Sequence, residues 1–121
     1  MTSNQLYREH ILDLWKNPLN FGNLESANKK HKEFNSLCGD EIEIQLEIKD
    51  NKINNVKFNG SGCVISIASA SLLTESIKGK TINEISSINK DNILKKLNIE
   101  ISPARIKCAL LSLEALQKSL K

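Results

Sequence analysis

The sequence predicts a single small domain that mixes helices with an antiparallel sheet. Residues 41–49 alternate without a break, with Ile42, Ile44, Leu46 and Ile48 on one face and Glu41, Glu43, Gln45, Glu47 and Lys49 on the other. Stretches near both ends of the chain instead repeat apolar residues at helical spacing. The 121 residues suffice for one hydrophobic core and leave no room for a second, so residues 1–121 form one domain.

The elements follow in order. Leu6, Ile11, Leu14 and Trp15 predict an amphipathic helix over residues 3–16, with Thr2 and Gln5 in capping-box register and Pro18 as the stop. Residues 33–38 can supply a strand. The strand 41–49 ends at the polar turn Asp50-Asn51-Lys52, and Ile53, Val56 and Phe58 continue as the next strand. Its phase slips by one residue near Asn54-Asn55, the mark of a bulge. After Gly60-Ser61-Gly62, residues 64–77 read as a helix rich in small residues, suited to lying close to a sheet and ended by Gly79. Short helices are expected near 82–88 and 91–97. Pro103 opens a last helix with Ile106, Leu110, Leu113, Leu116 and Leu120 on one stripe.

Composition excludes several classes of function. Hydrophobic residues at 40% with charged residues at 26% describe a globular chain, and aromatics at 4% leave the core to Ile and Leu. The net charge of +3 is dispersed, with no basic run longer than Lys29-Lys30-His31-Lys32, so nucleic-acid binding is not expected. Met1 to Gln5 hold no basic segment followed by an apolar one, and no 18 apolar residues run together, which points to the cytoplasm and away from a membrane. An odd count of three cysteines disfavours a disulfide framework and favours reduced thiols.

Those cysteines stand at the punctuation of the chain: Cys38 in Leu37-Cys38-Gly39-Asp40, Cys63 after Gly60-Ser61-Gly62, and Cys108 just past Pro103. Cys63 precedes a predicted helix and Cys108 lies in the first turn or two of another, where the helix dipole favours thiolate. Gly39 allows Cys38 and Asp40 to turn the same way, and Gly60 and Gly62 let a loop pass close to a bound group. Three thiolates and a carboxylate suit tetrahedral zinc, and cysteine-rich ligation also suits a [2Fe–2S] cluster. The spacing, with no Cys-x-x-Cys pair, leaves core cysteines as the alternative; the glycines and helix starts favour a shared site.

Several motifs occur together and in order: Leu6-Tyr7-Arg8-Glu9, Lys16-Asn17-Pro18, Cys38-Gly39-Asp40, Gly60-x-Gly62-Cys63-x-Ile65-Ser66 running into Ala68-Ser69-Ala70-Ser71, Lys78-Gly79-Lys80, and Pro103-Ala104-Arg105-x-Lys107-Cys108. In these the chain resembles the IscU/SufU/NifU-N family of iron–sulfur cluster assembly proteins over nearly its whole length. The resemblance implies an α+β fold with a three-stranded antiparallel sheet and helices packed on one face. It implies Cys38, Asp40, Cys63 and Cys108 as ligands of a [2Fe–2S] cluster or Zn2+. It further implies a scaffold or sulfur carrier more than an enzyme, with a cysteine desulfurase, an iron donor and apo acceptor proteins as partners, working as a monomer or weak dimer.

The branch is mixed. Lys107 stands where the IscU branch has histidine, and Ile101-Ser102-Pro103-Ala104-Arg105 replaces its chaperone-read Leu-Pro-Pro-Val-Lys. Ala68-Ser69-Ala70-Ser71 and the Pro-Ala-Arg segment look like SufU, a zinc-bound sulfur acceptor, yet the stretch that SufU proteins carry before Pro-Ala-Arg is missing. In the acceptor reading Cys108 takes the persulfide, because Arg105 and Lys107 favour its thiolate without enclosing it; the alternative makes both cations ordinary surface residues. His10 and His31 read as solvated or core side chains, and Tyr7 and Trp15 as helix-face packing open to a partner contact.

Overall fold

The computed structural model describes residues 3–37 and 39–120, with side chains inside the first helix described from residue 8 onward. Helix α1, Ser3–Lys16, precedes an antiparallel sheet of β1 (Lys29–Asn35), β2 (Asp40–Lys49) and β3 (Lys52–Ser61). Then come α2 (Val64–Ile77), α3 (Ile82–Ser86), α4 (Lys90–Leu97) and α5 (Pro103–Ser119). The sheet has the order β1-β2-β3, so each strand neighbours the next in sequence. Among the described residues no helix is long and apolar enough to cross a membrane.

The alternation in β2 decides the layering. Ile42, Ile44 and Leu46 are fully buried and meet α2 and α5 together with Val56, Phe58 and Ile53 of β3. Asp50 and Asn51 both take positive φ, 54° and 64°, which gives the two-residue turn whose twist matches the flanking strands. The expected slip is present: Glu47 pairs with Asn55 but Ile48 with Ile53, leaving Asn54 as the extra residue. The bulge returns Ile53 to the core face. Without it Ile53 and Val56, three apart, would point opposite ways.

Three details depart from the sequence reading. The first strand runs over Lys29–Asn35 and not 33–38, because an edge strand pairs on one side only and needs no apolar alternation; lysines on such an edge also discourage pairing with other chains. Residues 36, 37 and 39 lie in a turn instead. The small residues of α2 serve closeness to α5 more than to the sheet: the Ser69 hydroxyl donates to the Ala109 carbonyl at 2.6 Å. The Trp15 side chain is 43% exposed, whereas Ile11 and Leu14 carry the packing of α1. Leu6, Tyr7 and the Thr2–Gln5 capping box lie outside the residues whose side chains are described.

The outer face of the sheet is covered in part, along β2. Between α1 and β1 the chain bridges to β3 at Phe21 and Phe58, then crosses β2 and reaches its far end, where Asn28 bonds the carbonyls of Leu46 and Ile48. Midway, the Gln45 side chain accepts the Leu24 N–H at 2.7 Å and donates to Asn23 and Glu43. Gln45 sits on the polar face of β2 and is still only 3% exposed. Its amide must be satisfied inside the protein, and this strap is what satisfies it. Away from this strap, Lys118 at the end of α5 reaches Glu33 of β1 at 2.6 Å and holds that carboxyl below its usual range.

Candidate metal centre

Three elements deliver three donors to one end of the sheet. Asp40 opens β2 after Gly39, whose φ of +72° suits glycine; Cys63 caps α2; Cys108 stands in the second turn of α5. One carboxylate oxygen of Asp40 and the sulfurs of Cys63 and Cys108 all lie within 4.8 Å of one another. A tetrahedral ion at ~2.0–2.3 Å from its ligands sets those ligands about 3.3–3.8 Å apart, so side-chain shifts of about an ångström close this group on a metal. Two soft sulfurs and one hard oxygen fit zinc or iron. Cys38, the remaining ligand expected from the sequence, lies outside the described residues.

Local structure explains why these atoms meet. β1 and β2 pair up to Asn35 and Asp40, and β2 and β3 pair up to Glu41 and Ser61, so the strand ends bring Asp40 beside the loop that leads to Cys63. The Cys63 N–H donates to Asp40 Oδ1 at 3.2 Å. Cys63 has extended backbone and makes no side-chain cap, which leaves its sulfur at the positive end of the α2 dipole. Gly62 is required for closeness: a Cβ there would lie 3.1 Å from Asp40 Cγ and from Ser66 Cβ.

Exposure divides the two described sulfurs, and one expectation is corrected by it. Cys63 is half-buried, but Cys108 is 1% exposed. Arg105 and Lys107 are both exposed, on turns of α5 that face outward, so Cys108 is enclosed where the sequence reading had it open. An enclosed sulfur cannot be met by a second protein until something moves. His10 is exposed and His31 pairs with Glu33 at 3.3 Å; neither joins the donor group.

Two residues at the site were not singled out from the sequence. The Ser66 hydroxyl lies 2.5 Å from Asp40 Oδ2, 3.3 Å from the Cys108 carbonyl and 3.6 Å from Cys63 Sγ. Asn35 donates from Nδ2 to Cys108 Sγ at 3.8 Å, while its Oδ1 accepts the Leu37 N–H and its carbonyl accepts the Gly39 N–H. Their spacing was a usable signal. Ser66 lies one helical turn past Cys63, and an asparagine two residues before a turn position is a common turn former.

A model of the NifU-like N-terminal domain matches residues 6–121. The chain belongs to the NifU-like N-terminal domain family. The chain is similar to the zinc-dependent sulfurtransferase SufU of Bacillus subtilis, 38% identical over 93% of this chain and 88% of that protein. The iron-sulfur cluster assembly scaffold protein IscU of Thermotoga maritima is 34% identical over the whole of this chain and 96% of its own. A crystal structure of a SUF-system cluster assembly scaffold protein from Fervidobacterium islandicum superposes with a TM-score of 0.81 at 31% identity, over 99% of this chain and 100% of that one. The two alignments run over 130 and 137 positions against 121 residues here, so both relatives carry residues without a counterpart. Length therefore does not separate a scaffold from a sulfurtransferase within this family.

Proposed function

We propose that this chain is an iron–sulfur cluster assembly scaffold. It takes sulfur from a cysteine desulfurase and iron from a donor, builds a labile [2Fe–2S] cluster on Cys38, Asp40, Cys63 and Cys108, and hands it to apo-proteins. The observation that carries the reading is the convergence of Asp40, Cys63 and Cys108 from three separate elements to within 4.8 Å. Beside them Phe34 and Leu37 are 62% and 78% exposed, an apolar contact available to a protein partner.

A second reading is favoured by the similarity to the zinc-dependent sulfurtransferase and by the fit of the donor set to zinc. Here a thiolate of this chain attacks the outer sulfur of the desulfurase's cysteine persulfide; the S–S bond breaks and the desulfurase cysteine leaves as thiolate. Exposure favours Cys63 over Cys108 as the described thiol that a donor reaches first.

Asp40 distinguishes a site that holds from one that lets go. An oxygen ligand binds iron less tightly than sulfur does among thiolates, so it is the arm that detaches first. The Cys63 N–H and Ser66 would keep a detached carboxylate at the site, where it could take the proton of an incoming cysteine. Asp40→Ala is therefore expected to load a cluster and to pass it on at least tenfold more slowly. Transfer followed by absorbance to an apo-ferredoxin checks this, and an equally loaded Asp40→Ala protein that transfers at the wild-type rate rules out control of release by this carboxylate.

A further inference from the structure

We propose that Ser66 pins Asp40 as a one-oxygen ligand and so sets how fast a bound metal exchanges, an inference that rests on the metal site proposed above. Ser66 is fully buried, and its single proton has three acceptors in range, Asp40 Oδ2 at 2.5 Å, the Cys108 carbonyl at 3.3 Å and Cys63 Sγ at 3.6 Å. The shorter distance and the charge of the carboxylate decide for Asp40. Its other oxygen is held at 3.2 Å by the Cys63 N–H. On a third side the backbone at Gly62 comes so close that a single added methyl would stand 3.1 Å from Asp40 Cγ.

These restraints fix the plane of the carboxylate. Turning it so that both oxygens face one ion breaks the Ser66 bond, the shortest at the site. Asp40 thus offers one oxygen, in a fixed direction, which would suit a four-coordinate ion. Ser66 touches no metal itself and acts through Asp40 as a positioning residue.

Loading the apo-protein with Co2+ alone tests the proposal, because the intensity of the cobalt d–d bands reports coordination number independently of any activity. Wild type is expected to give the strong bands of a four-coordinate ion. In Ser66→Ala the freed carboxylate turns to chelate with both oxygens, which raises the coordination number, weakens the bands and changes the rate of metal transfer to a chelator about tenfold. Ser66→Thr, which keeps the hydroxyl, should restore both readouts. Should Ser66→Ala lose its circular-dichroism spectrum, Gly62→Ala tests the pinning of Asp40 from the other side, since the added methyl stands 3.1 Å from Asp40 Cγ and the carboxylate must turn or give way. Wild-type bands and wild-type exchange in the variant that folds overturn the pinning of Asp40 as what sets exchange. A wild-type protein that takes up no Co2+ overturns it together with the metal site.

Discussion

Cys108→Ser is expected to lower zinc affinity by well over a hundredfold, and Cys63→Ser and Cys38→Ser to act alike. Replacing a neighbour that merely orients a ligand costs ~10–100-fold, and loss of the ligand itself exceeds that. Serine keeps the shape of cysteine but offers a neutral hydroxyl, removing both the soft donor and its charge. At Cys108 the effect is sharpened by enclosure: the sulfur is 1% exposed, so no solvent ligand slips easily into its place. Competition against a chromophoric chelator measures the loss. Wild-type affinity in any two of the three variants contradicts a shared site.

Gly60→Ala is expected to damage fold and site together. Gly60 has φ +138° and pairs with Ile42; a Cβ there would overlap the Glu41 carbonyl oxygen and lie 3.0 Å from the carbonyl carbon. Both are backbone atoms and cannot swing aside, so the end of the β2–β3 ladder must open. The strain and overpacking amount to about 2–5 kcal/mol. Glu41 adjoins Asp40, and Cys63 lies three residues past Gly60, so the opening also separates donors. Gly79→Ala is the control: its φ is +79°, but a Cβ there meets nothing within 4 Å, and it lies at the other end of α2. It should cost about 1 kcal/mol and leave metal affinity intact. Urea unfolding with zinc titration of both variants decides, and equal effects from the two would contradict the clash.

The parts of the fold that read clearly in the sequence were those where one side chain pattern answers to one neighbour. β2 alternates because helices cover one face, and α2 and α5 begin where Gly62 and Pro103 end the preceding loop. β1 did not read so clearly, since an edge strand of Lys29–Asn35 is specified by the partner it finds. Gln45 looked solvent-facing because the strap that buries it arrives from residues 20–28, and no local pattern announces that crossing. At the site, residue types and punctuation marked Asp40, Cys63 and Cys108. Their burial was invisible for the same reason as the strap: Cys108 is closed in by packing between α5, α2 and the sheet, contacts distant in sequence. Ser66 and Asn35 are common residues in a Ser- and Asn-rich chain, so the spacing that marks them becomes specific only once their hydrogen bonds are seen.

The most direct test is made on wild-type protein purified without oxygen, then incubated with a cysteine desulfurase, cysteine, a thiol reductant and ferrous iron. The scaffold account predicts iron and acid-labile sulfide on the protein in a one-to-one ratio, with the visible charge-transfer absorption of a [2Fe–2S] cluster and transfer to an apo-ferredoxin. Stoichiometric zinc that iron does not displace, with no labile sulfide after the same incubation, would contradict it.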